Sequence, residues 1–184
     1  MTFDEERYRQ AIVGEPRPLA NGIVVVPYDP EWPRLYAAQA DRVRTALGDR
    51  ALRIEHTGST SVADLPAKPI VDMVLLVADS ADEASYVPDL ERAGYQLRVR
   101  EPDWHEHRML RDADPDVHLH VFSEGCPEVG RVLAFRDWLR KDQADRELYA
   151  RTKMDLAQRD WTYMQEYANA KTQVVEGILA RALA

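Results

Sequence analysis

The stretch from Glu55 to Val77, EHTGSTSVADLPAKPIVDMVLLV, decides how the rest of the chain is read. Apolar and β-branched residues at its ends predict two strands, with a loop between them that holds Gly58, Ser59, Thr60, Ser61 and Lys68. Ile70 to Val77 is almost continuously apolar, the pattern of a strand buried on both faces, and Asp72 interrupts it. A carboxylate in such a strand is costly unless paired or metal-bound, so Asp72 reads as a ligand for a hard metal ion or as the ionic partner of Lys68. Gly58 lets the backbone come close to an anion, and a following helical turn aims its free N–H groups at it. With the hydroxyls of Ser59, Thr60 and Ser61, this loop reads as a phosphate cradle. A tight turn with a Ser or Thr cap is the competing reading.

Outward from this segment, the 184 residues predict a single domain of α+β class. Residues 1–22 form a leader with a short helix over 3–13, broken by the Pro- and Gly-rich GEPRPLANG. Ile23 to Val26 reads as a strand, and Asp29 and Pro30 as the N-cap and first turn of a helix running to about Leu47. Ala51 to His56 and Ile70 to Val77 are the next strands, and residues 80–93 have helical spacing. Tyr95 to Arg100, His105 to Arg111 and Val117 to Ser123 predict three further strands, the last two joined by DADPD. These elements make a core over 23–125. Residues 126–184 contain one proline, Pro127, and two glycines, Gly130 and Gly177, which predicts two or three long helices packed on the core.

The chain carries 24 Lys and Arg against 32 Asp and Glu, a net charge of −8. That balance sets a polynucleotide aside as the main partner, because gripping a phosphate backbone draws on clustered positive charge. Cys126 is the single cysteine, which excludes an internal disulfide and a CxxC zinc site. The charged start MTFDEERYRQ and the shortness of every apolar run predict a soluble cytoplasmic protein without a membrane span.

His118 and His120 are two apart, so on a strand both imidazoles lie on one face and Val117, Leu119 and Val121 on the other. With Asp72 they form a two-His, one-carboxylate set suited to manganese, iron or zinc. Alternatively they are polar edge residues or hydrogen-bond partners of Asp72. His105 and His107 repeat the spacing, but whether they share that face depends on hairpin register. In the helical tail, Tyr149 and Lys153 are four apart, as are Tyr163, Tyr167 and Lys171 in series. Tyr rings that stack on a base and Lys153 and Lys171 on phosphates would make a nucleotide lid; the same spacing also serves plain helix packing.

The string His56-Thr57-Gly58-Ser59-Thr60-Ser61-Val62, then Leu65 and Ala67-Lys68-Pro69-Ile70-Val71-Asp72, resembles the signature of the GrpB family, small bacterial proteins similar to the nucleotidyltransferase superfamily. Tyr28-Asp29-Pro30 with Trp32, His118-Leu119-His120-Val121, Phe135-Arg136-Asp137, Tyr149 with Lys153 and Tyr167 with Lys171 extend the likeness from about residue 23 to the end. The resemblance implies a polymerase-β-like mixed sheet with flanking helices and a helical C-terminal part. Nucleotidyltransferases of the usual kind place two acids at i and i+2 of the strand after the Gly-Ser turn, to bind magnesium. Here Asp72 is followed at i+2 by Val74, and His118 and His120 stand where a third acid is expected. The expectation is therefore an enzyme that uses a nucleoside triphosphate and a divalent metal, Mg or Mn before Zn or Fe, on a small-molecule acceptor. Asp72, Lys68 and His56 are its candidate catalytic residues, His56 as a general base because it belongs to the string. The missing second acid, together with family members fused to dephospho-coenzyme A kinase, sets a non-catalytic nucleotide- or coenzyme-binding module with a protein partner beside it, and the histidines alone suggest a metal-dependent hydrolase.

Overall fold

Residues 3–184 are described by the structure, a computed structural model. Five strands, β1 (Arg53–Thr57), β2 (Val71–Val77), β3 (Gln96–Glu101), β4 (His107–Ala113) and β5 (Asp116–Ser123), form one sheet in the order β1-β2-β5-β4-β3. β2 and β5 run parallel while the other neighbours are antiparallel, so the sheet is mixed and the fold is α+β.

Register decides what each face carries, because residues paired across strands share a face. Val71, Met73 and Leu75 of β2 share one face with Ile54, Val117, Leu119 and Val121, and meet Val43 and Leu47 of helix α2 (Trp32–Leu47) and Leu90 of helix α3 (Val87–Arg92). Val71, Met73 and Leu75 are each at most 2% exposed, and burial of such side chains is worth about 1.5–3 kcal/mol apiece. The opposite face carries Asp72, Val74 and Leu76 beside His118, His120 and Phe122. Its apolar half, Val74, Leu76 and Phe122, packs on Val129 of helix α4 (Pro127–Lys141). Its polar half is left to face the loop after β1 and the rest of the helical tail.

The tail is α4 followed by α5 (Gln143–Ala157), α6 (Met164–Ala170) and α7 (Thr172–Ala182). The prediction of two or three long helices thus gives way to two long and two shorter ones. Two caps explain the breaks: Asp142 accepts from the Asp145 N–H at 2.8 Å to start α5, and Glu166 accepts from the Tyr163 N–H at 2.7 Å to start α6. Val62 and Leu65 of the loop after β1 are buried with Leu139, Tyr149, Ala150 and Ile178, so tail and sheet share apolar contacts.

Other expectations need correction. Ile23 to Val26 is not a strand: only Val26 pairs, in a single bridge to Ala67. Helix α2 begins at Trp32 with Pro33 in its first turn, and Asp29 instead accepts from the Glu31 N–H at 2.9 Å in the preceding turn. Residues 80–93 contain a 3-10 turn over Glu83–Ser85 and the short α3 rather than one helix. β4 starts at His107, and His105 and Glu106 form a turn with φ of 54° and 50°. The leader's helix spans Glu5–Ala11 (α1), and the chain after it bridges Ile12 to Val99 of β3 and Leu19 to the carbonyl of Thr162. Among the described residues no helix is long and apolar enough to cross a membrane.

Candidate functional site

β1 ends at Thr57, directly across from Asp72. At Gly58 the chain adopts φ 65° and ψ −172°, a region essentially reserved for glycine. A Cβ at this position would lie 2.3 Å from Asp72 Oδ2, so the missing side chain is what lets the loop rest against the carboxylate. Ser59–Ser61 then form a 3-10 turn. Helix α4 fixes the loop from behind. Arg136 donates to Glu55 at 2.7 Å and to the His56 carbonyl at 2.9 Å, while Arg140 donates to the Ser61 carbonyl at 2.8 Å.

Between this turn, the start of β2 and helices α5 to α7 lies a pocket of about 110 Å³. Ser59, Thr60, Lys68, Asp72, Tyr149, Lys153, Tyr167 and Lys171 line it together with Gly58. The chain has only four lysines, and three of them meet here. Their close partners are uncharged. Lys153 donates to Ser59 Oγ at 2.9 Å and to the Pro66 carbonyl, and Lys68 donates to the Met164 thioether at 2.7 Å. Lys171 and Lys68 lie over the Tyr167 ring at 4.6 and 5.4 Å, and Lys153 over Tyr149 at 4.8 Å. Among the described residues Asp72 is the one carboxylate lining the pocket.

Three ammonium groups facing one acid, that of Lys153 buried and those of Lys68 and Lys171 on half-buried residues, resist protonation. Burial, then the charges of Lys171 and Lys68, pull Lys153 down to about 7. Burial and then Lys171 bring Lys68 to about 8, and burial does the same to Lys171. Burial opposes the charge of Asp72, but His118 and His120 outweigh it and hold its carboxyl well below the usual carboxylate range. Tyr149, pushed up to about 12 by burial, stays protonated. The chemistry of such a lining suits an anion bearing several charges.

Asp72 also faces the histidines. His118 Nδ1 lies 3.6 Å and His120 Nε2 3.9 Å from Asp72 Oδ1, too far for a good hydrogen bond. The three donor atoms fall within 4.8 Å of one another, the spread expected of ligands converging on an ion bound at about 2.0–2.2 Å once they close in slightly. The donor set therefore fits a divalent metal. Neither histidine lines the lysine pocket; Asp72 belongs to both groups and joins them.

The structure thus brings together Gly58, Ser59, Thr60, Lys68, Asp72, Lys153 and Lys171, and sets His118 and His120 at their edge. It does not bring in Ser61 or His56. The Ser61 hydroxyl is turned back onto the Gly58 carbonyl at 2.6 Å. His56 pairs with Met73, not Asp72, so it points to the opposite face of the sheet. There it is 7% exposed, stacked on Tyr36 at 4.7 Å and bonded to Thr60 Oγ1 at 3.0 Å. Burial pushes it down to about 4, which leaves it neutral at ordinary pH. Tyr163 also misses the pocket and packs on Tyr8 at 5.0 Å.

Sequence reasoning named His107 without its face and omitted Glu101 entirely. His107 stacks on His120 at 5.1 Å, with His107 Nε2 2.9 Å from His120 Nδ1 and His107 Nδ1 2.8 Å from Glu101 Oε2. The β4–β5 register, Met109 opposite His120, puts the odd-numbered residues of β4 on the histidine face. Nothing in the spacing alone fixes that register.

A family model described as GrpB protein matches residues 22–181. A UPF0157 protein of Halalkalibacterium halodurans is 52% identical over 178 residues, covering 97% of this chain and 91% of the relative. A dephospho-CoA kinase of Mycolicibacterium paratuberculosis is 33% identical over 162 residues, which take in 73% of this chain and 40% of the kinase. Among solved structures, the conserved protein GrpB from Enterococcus faecalis superposes with a TM-score of 0.77 at 31% identity, over 87% of this chain and 97% of that one. The Cid1 poly(U) polymerase with Mg and 3′-dATP bound superposes with a TM-score of 0.53 at 12% identity, over 79% of this chain and 49% of that one, a likeness of fold.

Proposed function

The chain belongs to the GrpB family on a nucleotidyltransferase-like fold, and from that premise we propose that it binds the phosphate chain of a nucleoside triphosphate in the lysine pocket and transfers the nucleotidyl group to a small-molecule acceptor. The observation that carries this reading is the convergence of three of the four lysines on the Gly58–Ser59 turn beside Asp72. Lys68, Lys153 and Lys171 offset the charge of the outer phosphates and of the pyrophosphate that leaves. Ser59 and Thr60 donate hydroxyls, and Gly58 removes the side chain that would hold the phosphates away. Asp72, His118 and His120 would hold a divalent ion, whose chemistry there is to neutralise phosphate charge and polarise the reacting phosphorus. The contribution of the protein is positioning and electrostatics rather than a covalent step. His56, on the far face, supports the turn through Thr60 and takes no proton from the acceptor.

The test is direct. Purified protein supplied with Mn²⁺, Mg²⁺ or Zn²⁺ is titrated with each nucleoside triphosphate and with pyrophosphate, and pyrophosphate release is followed in the presence of pooled small-molecule acceptors. Binding that depends on the lysines is the expected result; a protein that neither binds nor consumes any triphosphate overturns the proposal.

A second reading is favoured by two specific observations: Val74 is 2% exposed where a second metal-binding acid is expected, and the kinase relative carries the matched region within a longer chain. On this reading the pocket binds a nucleotide or a coenzyme A precursor without turnover and regulates a metabolic partner. Ligand-induced stabilisation without product supports it, and turnover abolished by Asp72→Asn refutes it.

A further inference from the structure

Behind the Asp72–His118–His120 cluster lies a chain of contacts that the proposed chemistry does not use. Glu101 Oε2 meets His107 Nδ1 at 2.8 Å, and His107 Nε2 meets His120 Nδ1 at 2.9 Å. The far nitrogen of His120, Nε2, then faces Asp72. A carboxylate only accepts hydrogen bonds, so His107 Nδ1 carries its proton toward Glu101. His107 is 5% exposed and boxed by Trp104 at 5.3 Å and Phe122 at 4.8 Å, which holds its ring in place. With Nδ1 turned to Glu101, His107 Nε2 is placed to accept from His120 Nδ1, the tautomer that His120 needs to bind an ion through Nε2.

We infer that Glu101 and His107 are positioning residues that lock His120 as a metal-ready imidazole, and that the cluster consequently takes a nitrogen-preferring first-row ion such as Zn²⁺ or Co²⁺ over Mg²⁺. The inference rests on the reading that Asp72, His118 and His120 hold a metal, and it adds the class of ion and the device that selects it. Two imidazoles and one carboxylate suit zinc, iron, cobalt or nickel, whereas magnesium takes oxygen donors and gives up water reluctantly. A carboxylate behind a ligating histidine fixes its ring and raises its basicity, and loss of such a partner typically weakens a metal about 10–100-fold. Here the support passes through a second imidazole. His118 has a looser counterpart, its Nε2 lying 4.0 Å from Asp116.

Full-length protein loaded with Zn²⁺ and labelled with ¹⁵N reports which ring nitrogen of His120 keeps its proton. Protonation at Nδ1 is expected, and protonation at Nε2 overturns the inference. In parallel, Co²⁺ and Mg²⁺ are titrated by calorimetry and by the visible absorption of bound Co²⁺. Wild type is expected to hold Co²⁺ at least about 100-fold more tightly than Mg²⁺, and His107→Phe, which keeps an aromatic ring in the box, to weaken Co²⁺ about 10–100-fold. Glu101→Leu, at a partly exposed strand end, is expected to weaken Co²⁺ in the same direction should His107→Phe fail to fold. Co²⁺ affinity unchanged in the folded variants, or Mg²⁺ bound as tightly as Co²⁺, refutes the inference and leaves the metal reading standing. No binding of either ion refutes both. Pyrophosphate affinity without metal is read alongside and stays unchanged in these variants, which separates the lysine pocket from the metal site.

Discussion

The ammonium group of Lys153 lies 2.9 Å from the hydroxyl of Ser59, across 94 positions of sequence. The Gly-Ser turn and the helical tail are therefore two walls of one pocket, the one proposed to take the phosphate chain. Lys153 is 3% exposed and, among the described residues, its hydrogen-bond partners are the Ser59 hydroxyl and the Pro66 carbonyl, both uncharged, so on the proposed reading its charge serves a ligand at the expense of the fold. Lys153→Met is expected to weaken pyrophosphate roughly 10–100-fold, the equivalent of one charge-assisted hydrogen bond of about 1.5–3 kcal/mol. Stability without ligand is expected to hold or rise, because a desolvated cation among like charges is removed. Calorimetry with pyrophosphate and urea unfolding of the free protein check the two halves, and an unchanged pyrophosphate affinity counts against the pocket.

Ligand binding is also expected to depend on pH with a definite sign. Lys153 sits at about 7, and Lys68 and Lys171 at about 8, against an ordinary lysine at 10.5. Above pH 7 these groups shed protons in the free protein, and an arriving polyanion restores them. Binding is therefore expected to take up protons and to weaken as pH rises from 7 to 9. Calorimetry in two buffers of different ionisation enthalpy measures the uptake. The same groups bind more protons in the unfolded chain, so they make the free protein more stable as pH rises from about 7 toward 10.5. A triphosphate affinity flat from pH 7 to 9 would contradict the assignment.

Gly58 tests the contact between turn and carboxylate. Gly58→Ala is expected to lose about 1–3 kcal/mol to its backbone conformation alone, and more because its Cβ would displace Asp72 Oδ2. Gly125 has φ 82° and open space around an added Cβ, so Gly125→Ala is a positive-φ control without the clash. The Gly58 variant is expected to be the less stable of the two in urea and to lose Co²⁺ and pyrophosphate affinity together, while the Gly125 variant keeps both. Equal losses in the two variants would show that the approach to Asp72 has no functional weight.

These sites differ in how far the sequence discloses them. The apolar run of β2 and the alternation of β5 announce two central strands, and the parallel register that sets His118 beside Asp72 makes real a meeting that spacing only allowed. Ile23 to Val26 has strand composition but finds a partner for Val26 alone, since composition does not supply a neighbouring strand. For Tyr149, Lys153, Tyr167 and Lys171 the helical spacing groups each Tyr with its Lys, but only the fold of the tail turns both pairs and Lys68 into one cavity. His56 shows what local reading misses. Alternation separates it from Glu55, yet which of the two shares the face of Asp72 depends on the β1–β2 register, and that register puts Glu55 opposite Val74. Arg136, reaching Glu55 from α4, occupies the pocket side instead.

His56 is accordingly expected to act on stability rather than on chemistry. Burial, partly offset by Asp72 and reinforced by Arg140 and Arg136, lowers it from 6.5 to about 4. Between those values the unfolded chain binds the proton and the folded one does not, so His56 costs stability as pH falls through 6.5 toward 4, by about 1.4 kcal/mol per pH unit. His107, lowered to about 4 chiefly by burial, adds a second share of the same sign. His56→Gln keeps a hydrogen-bonding group for Thr60 and removes the titration. The variant is expected to halve the histidine part of the acid slope measured by urea unfolding between pH 6.5 and 4, and to leave pyrophosphate affinity and any turnover at pH 7.5 within about twofold of wild type. Turnover lost in a variant that remains folded would restore His56 to the chemistry and require the loop to open toward the opposite face of the sheet.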